Sequence, residues 1–302
     1  MEEYHKPVLL QESVNALVGS EWDGIYVDAT FGGGGHSREI LSRLSPLGRL
    51  IAFDRDEDAL RNKPDDERLV LIHHNFRFIE TFVQAELNGG SGVNGVLADL
   101  GVSSHQFDTA QRGFSFRFDA PLDMRMNRES GKTARDIVNG YDAEMLERIF
   151  RLYGEVDNSR KAAQFIEKAR KEREIVTTTD LNRALESITP ALAGHKYLAK
   201  IYQALRIEVN DEMRNLEKML EGAATVLKTG GRLVVITYHS LEDRMVKNFI
   251  RSGNVEGEVK KDLYGRSNAP LKAWGKMVCP TEEEIGENTR ARSAKMRVAV
   301  KL

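Results

Sequence analysis

Three aspartates and a run of glycines are the residues of this chain best placed to do chemistry. Asp28 opens Asp28-Ala-Thr-Phe-Gly-Gly-Gly-Gly-His-Ser37, Asp54 stands in Phe53-Asp54-Arg55-Asp56, and Asp99 opens Asp99-Leu-Gly-Val-Ser-Ser104. An apolar run leads into the glycines and an amphipathic segment from Ser37 to Leu47 leads out, so the order is strand, tight turn, helix. A second apolar run then ends on Asp54. Such a unit cradles a cofactor: glycines let the backbone pass close to a ligand, and a carboxylate ending the second strand binds the two hydroxyls of a ribose.

The residues also say which ribose. The spacing Gly-x-Gly-x-x-Gly of a dinucleotide site is absent, because counting from Gly32 the third position falls on Ser37, and from Gly33 on Arg38. Asp28 at the mouth of the loop would repel a pyrophosphate held at a helix N-terminus. The ammonium and sulfonium of S-adenosylmethionine are cationic and gain from a carboxylate there. S-adenosyl-L-methionine is therefore the cofactor expected, with Asp28 and Asp54 among its contacts. Two other readings stand beside it: a purely structural turn with a solvated acid, and an NAD-dependent oxidoreductase on the same unit. Asp28 and the missing third glycine oppose the second.

A sheet must hold these residues. Strand-like runs at 25–29, 50–54, 69–73 and 95–99 alternate with helical segments, which implies an α/β class with a parallel sheet covered on both faces. About 130 residues then pass before the next strand, 231–237, and 296–302 alternates as a closing strand. The intervening chain is helical in pattern: Leu146, Ile149, Phe150 and Tyr153 share a face, and 161–173 and 179–188 follow. A single long segment, 196–227, carries Ile201, Leu205, Val209, Met213, Leu216, Leu220 and Leu227 near one stripe. The expectation is an α-helical domain inserted after the fourth strand: methyl-donor domain at 1–106, inserted domain at 107–208, second part of the first domain at 209–302. An insertion there lies on the ligand-binding edge of an open sheet and is placed to hold a substrate over the cofactor. Ser240 with Asp243 reads as a capping box, and 252–289 as a mobile loop.

Composition bounds the function. The 302 residues carry a net charge of −2, with 30% charged and 7% aromatic side chains, as in an ordinary soluble globular protein. The single cysteine, Cys279, excludes intrachain disulfides and cysteine zinc clusters. No apolar run approaches the ~20 residues needed to span a bilayer, and the first residues lack signal-peptide character. A cytoplasmic protein with no membrane partner is expected. Of the histidines only His36, His105 and His239 lie beside candidate site loops, and no metal constellation is present. The charge argues against nucleic-acid binding by bulk electrostatics but not against a local basic surface, and 288–297 holds four cations and no acid.

Further stretches suggest a substrate. Asp99 is placed to accept a hydrogen bond from a reacting amine, with Ser103, Ser104 and Gln106 as polar neighbours; the alternative is a strand-ending turn capped by its acid. Residues 112–126 interleave arginines with Phe114, Phe116 and Phe118, a combination that holds unstacked RNA bases and phosphates. Taken singly, the phenylalanines fit core packing better. On the helix at 202–210, spacing leaves Gln203, Arg206 and Asn210 as site candidates.

Taken in order, these stretches resemble the bacterial 16S ribosomal RNA cytosine-N4 methyltransferase family (RsmH, formerly MraW). The matching segments are His5-Lys-Pro-Val-Leu-Leu10, Tyr26-Val-Asp-Ala-Thr-Phe-Gly-Gly-Gly-Gly-His-Ser37, Asp99-Leu-Gly-Val-Ser-Ser104, Arg112-Gly-Phe-Ser-Phe116, Leu122-Asp-Met-Arg-Met126, Gln203-Ala-Leu-Arg-Ile207, His239-Ser-Leu-Glu-Asp-Arg244 and Asn288-Thr-Arg-Ala-Arg-Ser-Ala-Lys295. The resemblance implies a class I, Rossmann-like methyltransferase sheet with an inserted α-helical domain. It implies methyl transfer from S-adenosylmethionine to N4 of a decoding-region cytidine in 16S rRNA, with the small ribosomal subunit as partner and a homodimer compatible with it. Family cofactor contacts map onto Gly34, Gly35, His36, Asp54, Phe76, Asp99 and Gln106, and Asp99, Ser103 and Ser104 are the acceptor candidates. Arg112, Phe114, Arg117, Arg206, Arg290 and Arg292 are the RNA candidates. The chain departs from the family at His105, where proline is usual, at Tyr202 and Tyr238, where phenylalanine is usual, and across 253–281. A non-catalytic ribosome-assembly factor on the same fold is the other rival, opposed by the intact Asp28, Asp54 and Asp99.

Overall fold

Seven apolar runs pair into one sheet: β1 (Ile25–Asp28), β2 (Arg49–Asp54), β3 (Leu69–His73), β4 (Val93–Asp99), β5 (Leu227–Thr237), β6 (Leu271–Ala273) and β7 (Lys295–Lys301), in the order β3-β2-β1-β4-β5-β7-β6. The computed structural model describes residues 7–129, 131–261, 264–265 and 267–302, without the side chains of Ser104 and His105; His5 and Lys6 of the first matching segment lie outside the described residues. Neighbours from β3 to β5 run parallel, and β7 and β6 return antiparallel.

The central strands are apolar at nearly every position because both faces of the sheet are covered. Val27, Ile51, Phe53, Val96 and Val235 face one core, shared with the helices Ile79–Leu87, Glu212–Val226 and Ser240–Ser252. The alternate residues, Tyr26, Leu50, Ala52, Leu97 and Val234, face the other, with helices Leu10–Val18 and Gly35–Arg43. Alternation of side chains along a strand assigns each residue its face.

The chain divides into two compact units, one formed by the chain up to Gly101 with Arg214–Leu302 and the other by Val102–Met213. The second unit is helical, with Ala134–Gly140, Ala143–Leu152, Ser159–Glu172, Thr178–Leu185 and Gly194–Asn210 around a core that includes Met124, Ile137, Phe150, Ile166, Leu181 and Leu205. Two capping boxes, Thr133 with Asp136 and Thr177 with Asp180, start its helices. No helix among the described residues is long and apolar enough to cross a membrane.

Three local expectations change. The stripe read as one helix over 196–227 is two, Gly194–Asn210 and Glu212–Val226, because Asp211 takes a left-handed φ of 49° and ends the first; Leu227 already belongs to β5. The capping box of the helix Ser240–Ser252 is formed by His239 with Glu242, one residue before the pair expected. Asp243 is instead drawn to β7, where it receives Nε and Nη2 of Arg297 at 2.7 and 3.1 Å. The segment 252–289, expected to be a loop, contains β6 and the helix Glu282–Glu287. Three residues of strand and six of helix are too short to show a period.

Candidate active site

The strand order reverses between β1 and β4, each parallel neighbour leaving in the opposite direction, and such a point opens a crevice beyond the carboxyl ends of the strands. Asp28, Asp54 and Asp99 are the last residues of β1, β2 and β4, three adjacent strands. Adjacent strands lie ~4.8 Å apart, so the sheet gathers at one edge three acids that the sequence spreads over 71 positions.

Asp54 holds the glycine loop. Its Oδ2 accepts from the Gly32 N–H at 2.7 Å and its Oδ1 from the Asp56 N–H at 2.8 Å. Each carboxylate oxygen has a second lone pair, so both remain able to accept a hydroxyl. Burial pushes its pKa up to about 6 against the opposing pull of those two N–H groups. Beside Gly32, whose φ is 52°, the space is open: an added Cβ would meet nothing nearer than the Thr30 carbonyl oxygen at 4.0 Å. Gly34 and Gly35 are glycines for a different reason. A Cβ on Gly34, at φ 75°, would lie 2.9 Å from the Phe31 ring, and one on Gly35 2.1 Å from Pro7. Gly34 also stands at the N-cap of Gly35–Arg43 and brings no side-chain cap to it.

Asp28 is deeper than its sequence position suggests. It is 1% exposed, its Oδ2 accepts from the Ser37 hydroxyl at 2.7 Å and its Oδ1 from the Thr30 N–H at 3.0 Å. Burial raises its pKa, opposed by those hydrogen bonds. Asp28 is not at the mouth of the loop; it braces both ends of the loop from behind.

Asp99 has three neighbours. The Tyr238 hydroxyl donates to Oδ1 at 2.7 Å, and Oδ2 lies 3.7 Å from Nδ1 of His36. Its own N–H donates to Oγ1 of Thr30 at 2.7 Å, which ties it to the glycine loop. Burial pushes the carboxyl up to about 6; His36 and Tyr238 pull it down, Asp28 and Glu242 push it further. The side chain keeps 23% exposure, the open side of the cluster. Nε2 of buried His36 lies 3.2 Å from the Val8 carbonyl oxygen. Burial lowers the His36 pKa, with Asp99 and the Val8 carbonyl pulling the other way.

The profile of the MraW methylase family matches residues 2–302. The chain belongs to the MraW methylase family. Among relatives of this methylase, "Ribosomal RNA small subunit methyltransferase H" of Flavobacterium johnsoniae is 53% identical over 300 residues, 99% of this chain and 98% of the relative. The protein of the same name from Flavobacterium psychrophilum is 54% identical over 293 residues, 97% of this chain and all of the relative. A solved structure described as a putative rRNA-methylase from Clostridium thermocellum is similar at 14% identity and a TM-score of 0.44, covering 99% of each chain. The cofactor of the methylase is S-adenosylmethionine. The cradle fits it: Asp54 offers free lone pairs, the loop leaves room at Gly32, and the partly open carboxylate of Asp99 suits a cationic centre.

The remaining expected residues of this MraW-family chain fall in several places. Phe76 is half-buried against the sheet's core, in a 3-10 turn three residues past His73, the register partner of Asp54. Ser103 and Gln106 lie in the helical unit, where they cap each other: the Ser103 N–H donates to Oε1 of Gln106 at 3.1 Å and the Gln106 N–H to the Ser103 hydroxyl at 3.3 Å. Ser104's side chain is outside the described set.

Several RNA candidates prove to be internal. Arg112 is 3% exposed, its guanidinium donating to the carbonyls of Arg125 and Met126, and Phe114 is buried in the helical core. Arg206 is held by Glu212 through two 2.9 Å bonds. Gln203 donates to the Tyr153 carbonyl, and buried Asn210 joins Met124, Met126 and Arg206 backbone groups. Arg290 is half-buried, while Arg117 and Arg292 are exposed. Thr30 and Ser37 join the site without having been candidates, and Tyr238, noted only as a departure from the family's phenylalanine, proves to be a partner of Asp99. The only signal for Thr30 and Ser37 was their position inside the glycine motif.

Proposed function

We propose that the chain methylates the exocyclic N4 of a cytidine in small-subunit ribosomal RNA. The observation that carries this reading is the placement of Asp99: a carboxylate partly open to solvent at the edge that ends on Asp28 and Asp54, with one oxygen oriented by Tyr238 and the other beside His36. The relatives' name supplies the substrate class, ribosomal RNA of the small subunit.

S-adenosylmethionine supplies an electrophilic methyl carbon on a sulfonium. Asp54 accepts the ribose hydroxyls, and Asp28 keeps the glycine loop in the shape that offers the Gly32 side to the ligand. The cytidine amine is a poor nucleophile because its lone pair is delocalised into the ring. Asp99 Oδ2 accepts an N–H from it, concentrating electron density on nitrogen as the new N–C bond forms and the C–S bond breaks; the proton leaves by way of that oxygen. Holding nitrogen, carbon and sulfur in line can lower the barrier by ~7–11 kcal/mol. The base must first be unstacked, and the exposed Arg117 and Phe118 of the helical unit suit contact with the strand.

The test is nucleoside mass spectrometry of rRNA from cells with and without this protein, with transfer of label from methyl-labelled cofactor to small subunits in vitro. N4-methylcytidine that vanishes with the protein is expected. Label appearing on any other atom overturns the assignment.

A further inference from the structure

The antiparallel edge of the sheet carries a groove of about 420 Å³ that the methyl-transfer site does not use. That size lies within the range of ligand pockets. Its floor is apolar, with Ile250 from the helix Ser240–Ser252 and Leu271 and Val298 from β6 and β7. Five cations line it, Lys247, Arg251, Lys272, Lys276 and Arg297, and among the described residues no aspartate or glutamate does. Arg297 is answered by Asp243. Lys247, Arg251, Lys272 and Lys276 are exposed, and Lys247 and Arg251 stand one helical turn apart on one face. In a chain of net charge −2 such a concentration of one sign is not a composition effect.

An apolar floor beneath a rim of positive charge suits a molecule with flat apolar faces on an anionic backbone. We propose that this groove is a second docking site for single-stranded RNA, its lysines meeting phosphates and its floor taking an unstacked base. It is separate from Asp99: β6 lies three strands from β4, ~14 Å at the usual strand spacing. Substrate RNA held there is anchored away from the reacting base, which adds affinity without adding a contact at the methyl. The inference rests on the reading that this methylase acts on ribosomal RNA.

The experiment is fluorescence-anisotropy titration of a labelled single-stranded oligocytidine RNA, over a range of salt, with the full chain and with Lys247→Ser/Lys272→Ser/Lys276→Ser. Each single-strand phosphate contact contributes ~0.7 to the slope of log affinity against log salt, so the triple variant is expected to lose about 2 from that slope. Its RNA affinity should fall at least about tenfold at low salt, with S-adenosylmethionine affinity unchanged. If the full chain binds RNA and the triple variant matches it in affinity and slope, the groove is not the site, and the methyl-transfer reading stands. If the full chain binds anionic phosphatidylglycerol vesicles through these lysines and leaves RNA unbound, the groove is a lipid-binding surface and the proposal falls, while the methyl-transfer reading is decided by the nucleoside analysis.

Discussion

The Tyr238 hydroxyl donates a 2.7 Å hydrogen bond to Oδ1 of Asp99, joining two residues 139 positions apart at the ends of adjacent strands. Burial and the neighbouring carboxylates raise the tyrosine's pKa well above its ordinary value, so it stays a donor throughout the physiological range. Its bond commits one oxygen of Asp99 and leaves Oδ2 for the substrate.

Tyr238→Phe removes that donor. The bond lowers the Asp99 pKa, so its loss raises it, and the acid limb of the methyl-transfer rate profile should move to higher pH while the alkaline plateau changes by less than about threefold. Stability should fall by about 0.5–1.5 kcal/mol, the usual net worth of one hydrogen bond. A rate profile that stays in place would show that Asp99 is not the group whose ionisation is felt.

Asp54 makes cofactor binding pH-dependent. Its folded pKa of about 6 lies above the ordinary 3.8, so its contribution to stability is complete below the ordinary value and is lost as pH rises through 6. The ligand has the opposite preference, because hydroxyl donors need the ionised carboxylate. Below pH 6 the Kd for S-adenosylmethionine should therefore rise by up to about tenfold per pH unit. Isothermal titration should show this weakening in the parent and a flattened profile in Asp54→Asn, which should bind about ten- to a hundredfold more weakly at neutral pH. Identical profiles would remove Asp54 from the site.

Asp28 acts through the loop. Asp28→Ala strands the Ser37 hydroxyl and the Thr30 N–H in the interior, and each unsatisfied group costs about 1–3 kcal/mol. Ser37→Ala, at a residue with no exposure, should also weaken cofactor binding, though less than Asp28→Ala. Calorimetric melting together with cofactor titration decides it; full affinity in Ser37→Ala would mean that the brace is unimportant.

Two arginines of one motif should part company. Arg112→Ala removes a buried guanidinium that joins two backbone carbonyls and should cost about 1–3 kcal/mol of stability. Arg117→Ala, at an exposed position, should leave the melting curve within about 0.5 kcal/mol and weaken RNA binding instead. Equal losses of stability would contradict the placement of Arg117.

Much of the framework was legible in local pattern. β3 coincides with the run expected, and β1, β2 and β4 end on or beside their acids, because an apolar run buried on both faces is a signal that needs no distant partner. The glycine turn was legible too, although Gly34 and Gly35 answer to Phe31 and Pro7. β6 was not: its three residues owe their conformation to pairing with β7. Nor was the break at Asp211, since the apolar stripe runs through it in phase while the backbone reverses sign.

The sequence by itself determined the α/β sheet, the cofactor turn and the three acids, because strand and helix periods and a glycine run are local properties of the chain. Only the tertiary structure decided which charges are free. It turned Arg112 inward, gave Arg206 to Glu212 and Asp28 to Ser37, and set Tyr238 against Asp99. Whether a charge is spent or available depends on what lies within about 3 Å of it, and that neighbour is chosen by the packing of the whole chain.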